Sequence, residues 1–263
     1  MVSKYLLQTN IWVAICFTAL VVFFQLNLYE PKYSVWGIAF FGTLGIYNFT
    51  RIGNLEKIRN PSNRMQLILT LIGVLGALIC VILRGFELKT FLYLGVLGFV
   101  SFCYSLPFKG LGLRTIPFLK LFLIAFVWTG SSIGLLLIVH DAFNLHDKLF
   151  LSVFLFVIGI TLPFDIRDSQ IDDTELKTIP QIIGIKASKI LAIVCLLFSA
   201  ALFYSEYPIF NSFVVSWWIT CFVSILFCLN SSQQKSPFYY AFWMESCSLF
   251  PILFTIILNY FKL

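Results

Sequence analysis

The sequence predicts an all-α integral membrane protein, and three observations lead there: the balance of apolar to charged residues, the length of the apolar runs, and the placement of lysine and arginine. Of 263 residues, 60% are apolar and 11% charged, and the mean hydropathy is +0.94. A water-soluble domain carries roughly a quarter charged residues, so lipid is the main solvent of this chain. A helix crosses the hydrocarbon core with about 20 apolar residues. The length therefore leaves room for many crossings and little else.

Apolar runs between polar breaks place about nine spans, near 11–29, 34–50, 66–83, 91–107, 117–139, 148–164, 187–205, 211–229 and 238–261. Backbone polar groups in lipid must be satisfied within the segment, and these runs are too long and too unalternating for barrel strands, so helices are expected. The first ten residues carry only Lys4 and lead into the first run without a small-residue cleavage site. A retained first helix is the expectation. With the N-terminus inside, 13 of the 18 basic residues fall on inside segments and 5 on outside ones, as the positive-inside rule requires. The basic residues are scattered through short loops rather than grouped, so membrane topology accounts for the net charge of +6 and no nucleic-acid partner is expected. No soluble domain or linker interrupts the pattern, and 1–263 reads as a single polytopic domain.

After the second span comes the polar tract Tyr47 to Arg64, which holds Asn48, Arg51, Glu56, Lys57 and Arg59. Asn48 and Glu56 lie eight residues apart, so one helix presents both on roughly the same side. A positive-inside loop with helix caps fits the same pattern. The fourth span closes in Tyr104-Ser105-Leu106-Pro107, with Lys109, Gly110, Gly112 and Arg114 following. Pro107 ends the helix and the glycines loosen the turn; Lys109 and Arg114 suit phosphate, or are ordinary interfacial cations. The fifth and sixth spans are joined through His140, Asp141, His146 and Asp147, read as a solvated loop rather than a metal site. The seven cysteines all lie in apolar runs without a CxxC pair, and read as small packed side chains.

The sixth span ends in the most informative stretch, Leu162-Pro163-Phe164-Asp165-Ile166-Arg167-Asp168-Ser169-Gln170-Ile171-Asp172-Asp173. If the helix continues a turn past Pro163, then Asp165, Asp168 and Asp172 share one face. Three like charges in a row repel unless a cation sits among them. Carboxylates are hard ligands, and Mg²⁺ is commonly held by one or two of them with substrate phosphates completing its shell. An acidic, solvated helix cap has the same spacing. The three longest polar connections, near 51–65, 108–116 and 165–186, emerge on one side and can form one site.

These residues resemble the UbiA-type membrane prenyltransferases, over most of the chain. The second Asp-rich motif of that family, DxxDxxxD, is matched by Asp165, Asp168 and Asp172, followed by Leu176-Lys177-Thr178-Ile179-Pro180 and Ile183-Gly184. The Tyr104-Ser105-Leu106-Pro107 stretch resembles the tract that closes the fourth helix. The first motif, NDxxDxxxD in full form, is degenerate: Asn48 and Glu56 fall on its first and last positions, and Phe49 and Ile52 replace the two internal Asp.

The resemblance implies a nine-helix bundle that transfers a prenyl group from a polyprenyl diphosphate to an aromatic or other small acceptor. It implies Mg²⁺ on Asp165, Asp168 and Asp172, which are also the catalytic residues. It further implies substrate contacts from Asn48, Arg51, Glu56, Arg59, Tyr104, Lys109, Arg114, Arg167 and Lys177. A non-catalytic prenyl-lipid-binding or partner subunit of the same fold is the alternative, and a secondary transporter a third. The expected location is a bacterial inner membrane, with the N-terminus and acidic loops cytoplasmic.

Overall fold

In the computed structural model the described residues are 7–52, 63–85, 87–104, 112–113, 116, 118–142, 147–171 and 176–261. They form α1 (Ile11–Leu28), α2 (Tyr33–Ile52), α3 (Arg64–Leu83), α4 (Leu88–Tyr104) and α5 (Leu119–Val139), with a π-helical turn at Gly130–Gly134 inside α5. Next come α6 (Asp147–Asp168), α7 (Ile179–Glu206) and α8 (Ser212–Asn230). The last apolar run is broken: a π-helical segment at Tyr239–Met244 precedes α9 (Phe250–Tyr260).

Among the described residues, six helices are long and apolar enough to cross a membrane, namely α1, α3, α5, α6, α7 and α8, while α4 and α9 are shorter apolar helices. The chain is an integral membrane protein. The expected spans overlap helix among the described residues, the last of them broken at 247–249, and α6 continues past Pro163 to Asp168. Proline lacks the N–H that would reach the carbonyl of Gly159, four residues back. The Cys228 thiol of α8 donates to that carbonyl at 3.5 Å, as lipid-embedded helices require of a freed backbone group.

A cluster of aromatic rings joins α1, α6, α7 and α8. The ring of Trp217 stacks on Phe203 at 4.9 Å and on Phe23 at 5.9 Å, and meets Phe156 at 4.8 Å. Ser152 donates to the Ser199 carbonyl at 2.8 Å, tying α6 to α7. On the other flank α2 and α3 cross so closely that a Cβ on Gly73 would fall into the backbone of Gly45. Small residues let membrane helices approach this way. Only 11% of the apolar window of α3 is buried, so that helix is peripheral and faces lipid.

At the end where α3 turns into α4, side chains tie the helix ends together. Arg84, on a side chain only 6% exposed, reaches Glu87 at 3.1 Å and Thr90 at 2.9 Å. Lys89 pairs with Asp141, holding that carboxylate below its usual range, and Lys32 donates to the Val139 carbonyl at 3.3 Å. His140 stacks on Tyr29 at 4.4 Å beside the Gln25 amide. Burial, with Lys32 and Arg84 close by, lowers the His140 pKa from its ordinary value. No group of three His, Cys, Asp or Glu able to hold a metal occurs among the described residues. His146 lies outside them.

Candidate functional site

The opposite end gathers the last residues of α2, α4 and α6 with the first residues of α5 and α7 and the loop before the π segment. Because α6 runs through Pro163, Asp165 and Asp168 sit one turn apart on one face. Asp165 is buried, and the Lys120 ammonium of α5 holds it at 2.9 Å. Asp168 is gripped by Arg167 through two hydrogen bonds, from Nε at 2.7 Å and Nη2 at 2.8 Å. The Arg167 guanidinium lies over two adjacent rings, 5.4 Å from Phe164 and 5.3 Å from Tyr240. A cation at this distance is attracted by the ring faces.

The loop after α8 seats against this end. The Ser232 N–H donates to the Tyr240 hydroxyl at 2.9 Å, and that hydroxyl donates to the Ser232 carbonyl at 2.6 Å. Gln233 donates to Ser169 at 2.8 Å and accepts from Gln170 at 3.0 Å. The Thr178 N–H donates to Gln181 at 2.9 Å, which caps α7 just after Lys177; the lysine itself is exposed, with a backbone φ of 44°.

Asn48 and Arg51 turn elsewhere. Asn48 Nδ2 donates to the carbonyls of Thr9 and Leu44, both at 2.9 Å, and its Oδ1 accepts from Asn10 at 3.2 Å. Arg51 donates to the carbonyls of Gln8 at 2.7 Å and Leu7 at 3.2 Å. Both side chains hold the segment preceding α1. Asp172, Glu56, Arg59, Lys109 and Arg114 lie outside the described residues.

An apolar cavity of about 430 Å³ opens between α2, α3, α4 and α5, bordered by Gly42, Gly95, Gly98, Leu78, Trp128 and Ser131 among others. A second hollow of about 180 Å³ shares Tyr47, Ser101 and Trp128 with it and reaches Thr50 and Tyr104 at the Asp-rich end. Trp128 Nε1 donates to the Tyr47 hydroxyl at 3.0 Å where the two meet. A Cβ placed on Gly42, Gly95 or Gly98 would meet no atom within 4 Å. These glycines border empty space, unlike the packing glycines Gly45 and Gly73.

Two residues of this end were not singled out from the sequence. Lys120 counted there only as one of many inside cations; its signal is an ammonium one turn into an apolar run. Glu245 follows the π segment, within electrostatic reach of Arg51 and Arg167, and makes no ion pair among the described residues. Its signal is a lone acid in an otherwise apolar span, an expensive placement in lipid.

No protein-family model matches the sequence, and neither does any curated protein. Solved structures match the fold. A UbiA homologue from Aeropyrum pernix K1, in its apo form, superposes with a TM-score of 0.68 at 15% identity, covering 94% of this chain and 98% of that one. A UbiA homologue from Archaeoglobus fulgidus bound to GPP and Mg²⁺ gives 0.64 at 14% identity, covering 97% and 98%. The same homologue bound to Cd²⁺ matches equally. The chain has the UbiA-type prenyltransferase fold.

Proposed function

We propose that the protein binds a polyprenyl diphosphate and transfers its prenyl group to an aromatic or other small acceptor, with Mg²⁺ at the diphosphate. What carries the reading is one juxtaposition: an apolar hollow that continues, through Tyr47 and Trp128, toward the end of the bundle where Asp165, Asp168, Lys120 and Arg167 meet. A prenyl chain needs the first and its diphosphate the second. The A. fulgidus homologue of the same fold, bound to GPP and Mg²⁺, supports the ligand pair.

The donors of α6 suit the metal: Asp168 offers partly exposed hard oxygens on the same face as Asp165. Asp172 completes the tract in the sequence. Bound there, Mg²⁺ would neutralise charge on the departing diphosphate. The residues of the chain do the rest. Arg167, set against the rings of Phe164 and Tyr240, presents a cation beside Asp168, and Lys120 holds Asp165 in place. As the allylic C–O bond breaks, its electron pair leaves with the diphosphate. The apolar walls exclude water, so the acceptor rather than solvent captures the cation. The chain acts as one polytopic domain in a bacterial inner membrane, with the Asp-rich end cytoplasmic.

A second reading, a non-catalytic binder of prenyl lipid, is favoured by one observation: Asn48 and Arg51 are engaged by the N-terminal segment. Titrating geranyl diphosphate into detergent-purified protein, with and without Mg²⁺, tests the ligand. Metal-dependent binding that Asp168→Ala weakens tenfold or more supports the site, on the order of one lost carboxylate ligand. Binding indifferent to metal and to Asp168 would leave the lipid binder. Release of diphosphate with a supplied phenolic acceptor separates transfer from binding.

A further inference from the structure

Resting on the reading above, we infer that the end of α2 is a seat for the chain's own N-terminal segment and carries no metal, so that a divalent cation bound with a diphosphate is held from the α6 tract alone. The described side chains at this end of α2 do not fit a cation. The Asn48 amide is oriented without ambiguity, because two carbonyls, of Thr9 and Leu44, demand its N–H groups. Its one hard oxygen is thereby turned to Asn10, which donates to it at 3.2 Å in a fully buried contact. Phe49 stacks on Phe102 of α4 at 5.6 Å, and Ile52 is only 3% exposed. Neither has a ligand atom.

The same side chains fit a strap. The segment from Leu7 to Asn10 turns into α1 through the left-handed backbone of Asn10, φ 57°. The Asn10 carbonyl accepts from Ala14 of α1 at 3.2 Å, and for the three before it α2 supplies donors in register: Arg51 to Leu7 and Gln8, Asn48 to Thr9. A buried carbonyl without a donor is costly, and at Thr9 the Asn48 amide supplies one. Thr9 and Asn10 are accordingly buried, although both are polar. Positions where the resemblance implies ligands have become donors to backbone.

Two measurements on the full-length protein decide it. Deuterium uptake by the peptide containing residues 7–10 should rise about tenfold in Arg51→Ala, the scale of losing charge-assisted hydrogen bonds to backbone. The geranyl diphosphate affinity of that variant should stay within about twofold of wild type, since backbone carbonyls and not phosphate hold the guanidinium. Arg51 is exposed, so the variant folds. Mn²⁺ counted by electron paramagnetic resonance at saturating geranyl diphosphate should reach about one per chain. Two Mn²⁺ per chain, or a tenfold affinity loss in Arg51→Ala with uptake unchanged, overturns the inference. If wild type binds no geranyl diphosphate, the reading of function falls, while the uptake measurement still decides the strap.

Discussion

At the end where α3 turns into α4, Arg84 pairs with Glu87 across a short turn and Lys89 reaches from α4 to Asp141 just past α5, binding the helix ends together. At the Asp-rich end the principal pair spans separate helices, Lys120 of α5 to Asp165 of α6, beside an apolar hollow, and Glu245 has no ion pair among the described residues. The same residue types serve two purposes. Charges at the first end lock helix ends together at a surface, whereas the Lys120–Asp165 pair at the second ties two helices together beside an apolar hollow.

The sharpest way to break this contrast is to remove one partner of the cross-helix pair. Lys120→Ala takes the ammonium from the buried Asp165 and should lower stability by about 3–5 kcal/mol, read by thermal unfolding in detergent. Replacing both partners by apolar residues of similar volume should restore most of it; equal loss in the double variant would mean that the pair does more than compensate itself.

Glu245→Gln sharpens the comparison from the other side. The amide keeps the shape of the acid it replaces, so thermal stability should be unchanged and geranyl diphosphate affinity should stay within about twofold of wild type. A fall in affinity would instead make Glu245 part of the binding apparatus. Glu56→Ala should weaken Mg²⁺-dependent binding less than Asp168→Ala does, by about threefold at most, because a lone carboxylate is a poor Mg²⁺ site. A complete loss would restore weight to the first tract.

The smallest effect belongs to the closed end. His140 is held below its ordinary pKa, so the unfolded chain takes up its proton first as pH falls. Its contribution is therefore present above the unfolded value and lost on acidification through it. Melting between pH 7 and pH 5 should fall by at most a few degrees on this account, and His140→Gln should flatten that slope.

The helices were legible because roughly 20 consecutive apolar residues have few other uses, and the face shared by Asp165 and Asp168 followed from helical spacing. Lys120 with Asp165 was not legible, since nothing in a sequence couples residues that meet only when two helices pack. The turning of Asn48 toward Asn10 and Thr9 was hidden for a related reason: the partners are largely backbone carbonyls, which every residue has. The last span read as continuous over 238–261, and its break around Cys247 to Leu249, which positions Glu245, has no breaker residue ahead of Pro251 to announce it.

Gly42, Gly95 and Gly98 stand on two facing helices with nothing behind the missing Cβ. The bundle does not need them small in order to assemble, so each is a place where the mould of the hollow can be recast one methyl or one ring at a time. A set of variants that differ only there would act as a graded series of plugs, turning the empty volume from a description into an adjustable length.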